Sequence, residues 1–217
     1  MIDDFFDVKK PKWTKALIVL IPLCFCFFLS ITRVILTKDK FFLFLVWNLI
    51  LAIVPLILSS ALYFSKKRNA VYAILLIGLW LLFFPNAPYI ITDIIHLRVT
   101  NKRFQWFDLI LLTSYAASGL LYGFLSLQCI EYTLQIKFNV KHTWWFASIS
   151  LFLASFGIYL GRFLRWNSWD IFANMREVMG DVLVRLANPI IHHDIWWFTF
   201  LFGLFLNVFY FTTMHRR

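Results

Sequence analysis

Residues 85–98 read PNAPYIITDIIHLR, and this stretch interrupts a chain that otherwise consists mainly of long apolar runs. Pro85 and Pro88 each lack a backbone donor and restrict the residue before them, so the preceding helix must end here. Asn86 can cap a new helix with its side chain, and Pro88 is tolerated in the first turn of that helix. The stretch therefore predicts a proline break followed by a short helix.

The polar residues of this predicted helix share one face. Tyr89, Thr92, Asp93 and His96 recur at i, i+3, i+4 and i+7, and the positions among them are isoleucine or leucine. A soluble helix carries an apolar stripe on a polar background. The inverse pattern predicts a helix surrounded by lipid or by other helices, with its polar face turned towards a cavity.

The composition is that of an integral membrane protein. Of the 217 residues 61% are hydrophobic, compared with about 45–50% in soluble domains. Six apolar runs approach the roughly 20 residues that a bilayer core requires. We predict a single all-α polytopic domain, residues 1–217, with six transmembrane helices. The predicted spans are residues 16–36, 41–64, 70–84, 108–130, 143–160 and 195–213.

Two segments outside the spans carry further signals. Residues 1–15 contain four lysines and are predicted to form a basic cytoplasmic tail. Residues 169–188 carry apolar side chains at helical spacing opposite a polar side, which predicts an amphipathic helix in the membrane interface or against the bundle, capped by Ser168. With the N-terminus in the cytoplasm, the cytoplasmic segments hold eleven of the twenty-one Lys and Arg. This slight excess favours that orientation in the cell membrane.

The second stretch with unusual chemistry is LGRFLRWNSWD, residues 160–170, at the end of the fifth span. The third and fifth spans run in the same direction, so this stretch emerges on the same membrane face as Asp93 and His96. We therefore predict that the two stretches form one site. Arg162 and Arg165 can grip a phosphate or carboxylate through paired donors. The alternatives are that they extend to lipid headgroups, or that one of them pairs with Asp93.

Within this predicted site, Asp93 and His96 are the candidate catalytic pair, acting as a base with its orienting partner. Tyr89, Thr92 and Asp170 are candidate ligand-binding groups beside the two arginines. Asp93 and His96 could also share a metal ion, although two ligands do not make a site, and no cofactor is predicted.

The remaining motifs narrow the function classes. Gly119 and Gly123 form a small-xxx-small pattern, which predicts close approach of another helix. Walker, G-x-S-x-G, H-E-x-x-H and Rossmann patterns are absent from the sequence. The net charge of +10 comes from basic residues beside apolar spans, which predicts contact with anionic membrane lipids and not with nucleic acid.

Three motifs carry a family resemblance: PNAPYIITDIIHL, WFDLILL with the downstream SGLLYGFLSL, and LGRFLRWNSWD. They resemble an uncharacterised family of bacterial polytopic membrane proteins, the domain-of-unknown-function family 1361. The resemblance implies a multi-span membrane protein and supplies no reaction, substrate or cofactor.

We therefore predict a polar Asp/His/Arg pocket at one membrane face that binds or processes an anionic lipid or another phosphate-bearing or carboxylate ligand. A membrane-embedded hydrolase or transferase fits this layout. So does a transport component without covalent chemistry. A third alternative is a structural subunit that docks through Gly119, Gly123 and the amphipathic helix.

Overall fold

The computed structural model of the protein describes residues 12–65, 69–99 and 102–214. Residues 1–11 of the predicted basic tail lie outside this range. The helices, in chain order, are α1 (Lys12–Thr37), a 3-10 turn (Phe41–Leu43), α2 (Phe44–Phe64), α3 (Ala70–Phe83), α4 (Asn86–Tyr89), a 3-10 helix (Ile90–Val99), α5 (Gln105–Phe138), α6 (Thr143–Phe163), α7 (Asp170–Ala173), α8 (Met175–Ala187) and α9 (His193–Met214).

In the described part of the chain, six segments are long and apolar enough to cross a membrane. These segments are Ala16–Thr37, Phe41–Phe64, Ala70–Arg98, Gln105–Phe138, Thr143–Phe163 and His193–Met214. A helix satisfies its backbone hydrogen bonds internally, as a lipid environment requires. The prediction of an all-α multi-pass membrane protein with six spans is confirmed.

The fourth span is longer than the sequence pattern indicates. α5 runs for 34 residues to Phe138, about 51 Å at 1.5 Å per residue, and ends where Asn139 has a left-handed backbone with φ 55°. The predicted polar connection beginning at Glu131 is therefore wrong. Two of its polar side chains contact other elements of the protein: Tyr210 donates to Glu131, and Lys137 donates to a backbone carbonyl of α2.

α5 is the centre of the bundle, and buried polar contacts fix α1 against it. The Tyr115 hydroxyl on α5 lies 2.7 Å from the Ser30 hydroxyl on α1. One turn further along α1, the Arg33 guanidinium donates from Nε and Nη2 to the two carboxylate oxygens of Asp108, at 2.5 and 3.2 Å. Arg33 is 5% exposed and Asp108 is fully buried. This ion pair braces α1 and α5 on the membrane face where α1 ends.

The proline break lies where the sequence predicts it, but the helix that follows differs from the prediction. α3 ends at Phe83, α4 covers four residues, and the chain continues as the 3-10 helix. Residues i and i+3 are aligned in a 3-10 helix. The predicted polar face therefore becomes two neighbouring rows, one of Tyr89 and Thr92 and one of Asp93 and His96.

Both helix caps predicted around this region are wrong. The Asn86 side-chain amide donates to the Phe83 carbonyl and to the Ser168 hydroxyl, each at 2.9 Å. Ser168 in turn donates to the Leu82 carbonyl at 3.0 Å. The last carbonyls of a helix lack intrahelical partners, so these side chains serve the end of α3 and do not cap the helices that follow them.

The predicted amphipathic helix over residues 169–188 is two helices, α7 and α8. Asn174 between them has a non-helical backbone, with φ −128° and ψ 39°, and asparagine is a weak helix former. On α8, Val178 is buried, whereas Met175 and Leu183 are 59% and 57% exposed. An apolar surface of this kind suits a helix that lies in the membrane interface.

Four glycines bring two spans close to the proline-broken segment. Gly119 and Gly123 on α5 face α4 from one side, and Gly157 and Gly161 on α6 face it from the other. A Cβ on Gly119 would lie 2.5 Å from the carbonyl oxygen of Ala87, and one on Gly157 would lie 2.9 Å from the ring of the proline at the break. The Gly119 face is therefore occupied within the chain, which removes it as a docking face for another protein.

Candidate functional site

Arg162, near the end of α6, lies over the groove between the two polar rows. Its Nη2 donates to Asp93 Oδ1, and its Nε and Nη2 donate to the Thr92 hydroxyl at 2.9 and 2.7 Å. The second carboxylate oxygen of Asp93 accepts from the Asn48 amide at 2.9 Å. Asp93 is 1% exposed and the Arg162 side chain 15%. Charge and hydrogen-bonding capacity of the carboxylate are thus matched inside the protein.

Tyr89 and His96 complete the cluster on two sides of Arg162. The guanidinium carbon lies 4.6 Å from the centre of the Tyr89 ring, a cation–π contact. Arg162 Nη1 lies 3.4 Å from His96 Nε2. Arginine can only donate, so this ring nitrogen acts as the acceptor. The His96 side chain is 30% exposed, which makes it more accessible than Asp93 or Arg162.

The structure thus brings together five residues that the sequence analysis singles out: Tyr89, Thr92, Asp93, His96 and Arg162. The other two candidates lie elsewhere. Arg165 is exposed and has a left-handed backbone with φ 63°, which carries it away from Arg162. Asp170 accepts from the backbone and side chain of Asn167 at 2.6 and 3.2 Å.

Asn48 is a site residue that the sequence analysis did not assign. The sequence feature that could have identified Asn48 is its position as the single amide side chain of the mainly apolar second span. Such a group usually finds a partner within the protein. Which partner it finds depends on how α2 is rotated against the segment after the proline break.

The donor set does not fit a resident metal ion. Among the residues that the structure describes, no three His, Cys, Asp or Glu side chains are grouped closely enough to hold one. Asp93 and His96 are only two ligand-type groups, and Arg162 between them would repel a cation. The predicted pairing of Asp93 with an arginine accounts for the geometry without a metal.

A cavity of about 300 Å³ lies beside the charged cluster. Its walls come from α2, α3, α4, α6, the segment before α7, α7 itself and α8. Most of the lining is apolar, and its polar groups are amides and hydroxyls, including Asn48, Asn86 and Ser168. Trp47 and Met179 line it and are 55% and 43% exposed. The cavity therefore reaches the protein surface at this rim.

A polar contact with the segment before α7 holds α8 over the cavity. The Trp166 indole donates to Asp181 Oδ2 at 2.7 Å, and Arg185 donates to Asp181 Oδ1 at 2.9 Å. The hydrogen bond from Trp166, and to a smaller extent Arg185, lowers the pKa of Asp181 below its ordinary value of 3.8. A lowered pKa means that the folded state favours the ionised carboxylate. The resulting stabilisation is full well above pH 3.8 and is lost as the pH falls below it.

Replacing Trp166 with phenylalanine is expected to loosen α8, because the ring remains but its N–H donor is lost. Amide hydrogen exchange of α8 should become a few-fold faster at neutral pH. In the wild type, the protection of α8 relative to the intrinsic exchange rate at each pH should fall by the same factor only below the ordinary Asp pKa. Trp169→Phe, at an exposed indole on the same rim, serves as the control and should leave exchange unchanged. Equal exchange in the Trp166 variant and the wild type would contradict this contact.

Fold and site together define a multi-pass membrane protein with a buried charged cluster beside a cavity. The family model described as "Protein of unknown function (DUF1361)" matches residues 47–209. The chain belongs to this family. No curated protein and no solved structure matches the chain.

Proposed function

We propose that the protein binds a membrane lipid, with an apolar chain in the cavity and the headgroup at its polar rim. The observation that supports this best is the cavity itself: about 300 Å³, mainly apolar, and lined at one side by amide and hydroxyl groups. Small-molecule sites commonly combine an apolar interior with a few such polar groups. An opening at the membrane interface, where headgroup and chain meet, would suit such a ligand, and the exposed apolar side chains of α8 support that location.

The charges favour a headgroup that is uncharged and rich in hydrogen-bond donors, such as a sugar, over the anionic headgroup expected from the sequence. Arg162 is already neutralised by Asp93 and lies behind Tyr89. The side-chain amides of Asn48 and Asn86 donate to groups of the protein, so their oxygens are the atoms left to accept from a ligand. Acceptors select hydroxyl or amine donors.

Binding is also better supported than catalysis. Asp93 is 1% exposed and accepts from two side chains, so it is enclosed by its partners. A hydrolase or transferase role for Asp93 and His96, and a transport role, stay predictions. If the protein lies in the cell membrane with its N-terminus on the cytoplasmic side, the cavity would open on the side away from the cytoplasm.

Filling the cavity is expected to abolish lipid retention. Val182 lines the cavity from α8, so Val182→Trp should displace a chain without disturbing the spans. Leu183→Trp is the matched control, because Leu183 neighbours it on the same helix and is 57% exposed. Native mass spectrometry of protein from mixed micelles of a neutral diacyl glycolipid and phosphatidylglycerol should show one bound glycolipid in the wild type and the control.

The Val182→Trp protein should retain less than about a tenth of that lipid, a loss of about 1.4 kcal/mol or more. Retention of the same lipid in equal amount by both tryptophan variants would overturn the binding proposal. Preferential retention of phosphatidylglycerol would support the cavity as a lipid site but would overturn the proposed preference for an uncharged headgroup.

A further inference from the structure

A second buried polar cluster lies between α5 and α9, away from the charged site. Glu131 on α5 is 4% exposed, and one of its carboxylate oxygens, Oε2, accepts from the Tyr210 hydroxyl on α9. The other oxygen, Oε1, is buried without a hydrogen-bond partner, and so is Oε1 of Gln128, one turn earlier on α5. Two unpartnered acceptors this close on one helix face need an explanation.

The contacts to α9 place these two side chains next to each other. Successive spans alternate in direction, so α5 and α9, the fourth and sixth, run the same way. Gln128 precedes Glu131 on α5, yet its amide donates to the carbonyl of Met214 at 3.5 Å, whereas Glu131 contacts Tyr210, which precedes Met214. The two contacts cross, and the side chains must pass each other between the helices.

The surroundings offer Glu131 little compensation for a negative charge. Within residues 12–65, 69–99 and 102–214, it has no cationic side chain within ion-pair distance. Lys137 on the same helix donates to the carbonyl oxygens of Leu62 and Ser65. The titratable groups beside it are uncharged phenols and a thiol: Tyr210 contacts Glu131, Tyr132 and Cys129 lie within two residues of it on α5, and Tyr63 of α2 packs on Tyr132. An ionised carboxylate buried in this way costs several kcal/mol.

We propose that Glu131 is a proton-binding site in which Oε1 carries the proton and donates it to Gln128 Oε1. One proton then gives both unpartnered oxygens a hydrogen bond. The result is a continuous chain in which Tyr210 donates to Glu131, Glu131 to Gln128, and Gln128 to the Met214 carbonyl. The chain ends at the last turn of α9, on the membrane face opposite the lipid cavity.

The test is infrared spectroscopy of the purified full-length protein at neutral pH. The wild type should show a protonated-carboxyl C=O stretching band that disappears in Glu131→Gln and shifts in Gln128→Leu, where the acceptor is lost. Glu177→Gln, at an exposed carboxylate of α8, should leave the band unchanged. Absence of a Glu131-dependent band at neutral pH would show an ionised side chain and overturn the proposal.

Thermal unfolding gives a second readout. Glutamine keeps an acceptor for Tyr210 and a donor for Gln128, so the Tm of Glu131→Gln should lie within about 2–4 °C of the wild-type Tm. Glu131→Ala loses both groups, and its Tm should be clearly lower. Raising the pH should lower the Tm of the wild type and not that of Glu131→Gln. The Tm of the wild type could instead rise with Na⁺ concentration at constant ionic strength, while that of Glu131→Gln does not. This result would show that Glu131 binds a metal cation and would overturn the proposal that it binds a proton.

Discussion

Replacing Arg162 with methionine is expected to destabilise the protein by about 3–5 kcal/mol, the usual effect of removing one partner of a buried ion pair. The loss arises mainly because Asp93, at 1% exposure, would keep the Asn48 amide as a donor but would have to remain an unpaired buried charge or take up a proton. Thermal unfolding in detergent measures the effect. The double variant Asp93→Leu/Arg162→Met should recover much of the stability, since apolar replacement of both partners is often neutral.

Arg185→Met provides the matched control. Arg185 also pairs with an aspartate, at 2.9 Å, but its partner Asp181 is 38% exposed. Exposed pairs contribute about 1 kcal/mol or less, so this variant should unfold close to the wild type. An Arg162→Met protein that is as stable as the Arg185→Met protein but no longer binds lipid would contradict the structural role and assign Arg162 to the ligand. Loss of an enzymatic activity in Asp93→Asn at unchanged stability would support the catalytic prediction.

Much of this site could be predicted because the signals were local. The two prolines ended α3, and the spacing of Tyr89, Thr92, Asp93 and His96 put their polar groups on one side even though the helix is wound as 3-10. The alternation of spans then brought Arg162 to the same membrane face. These steps needed only helix geometry and the number of crossings.

What could not be predicted was the choice of partner across the bundle. Arg33 and Asp108 are separated by 75 residues, and nothing in their neighbourhoods identifies one as the partner of the other. Pairing depends on how each helix is rotated about its own axis, which apolar runs with little amphipathic pattern do not specify. For the same reason Glu131 resembled a loop residue, although packing against α9 buries it within α5.

The segment that each glycine pair faces is likewise decided by tertiary packing and not by the local sequence. The second close pair, Gly157 and Gly161, has the spacing of Gly119 and Gly123, but the spacing alone does not tell what approaches it. In the structure both pairs face the segment after the proline break. A short segment with few intrahelical hydrogen bonds is held in place by this close packing, and the positions of Thr92 and Asp93 depend on it.

Adding one methyl group at Gly119 is expected to disturb the charged cluster from a distance. In Gly119→Ala the Cβ would lie 2.5 Å from the Ala87 carbonyl oxygen and 3.0 Å from Ile90 Cδ1. A backbone oxygen cannot rotate away, so α4 must move off α5 and carry Asp93 with it relative to Arg162. Overpacking of this kind costs about 1–3 kcal/mol, and the weakened ion pair should bring the loss to the upper end of that range.

Gly78→Ala is the control, because a Cβ there would meet no atom within 4 Å. Alanine favours a helix over glycine by about 1 kcal/mol, so Gly78→Ala should be as stable as the wild type or more stable. The free energy of unfolding should therefore fall in Gly119→Ala and stay equal or rise in Gly78→Ala. In Gly123→Ala the new Cβ would lie 3.0 Å from Ala87 Cβ. The stability of this variant should lie between those of Gly119→Ala and Gly78→Ala. If Gly119→Ala unfolded like Gly78→Ala, α4 would have room to spare against α5, and the close approach of helices could not be what holds Asp93 against Arg162.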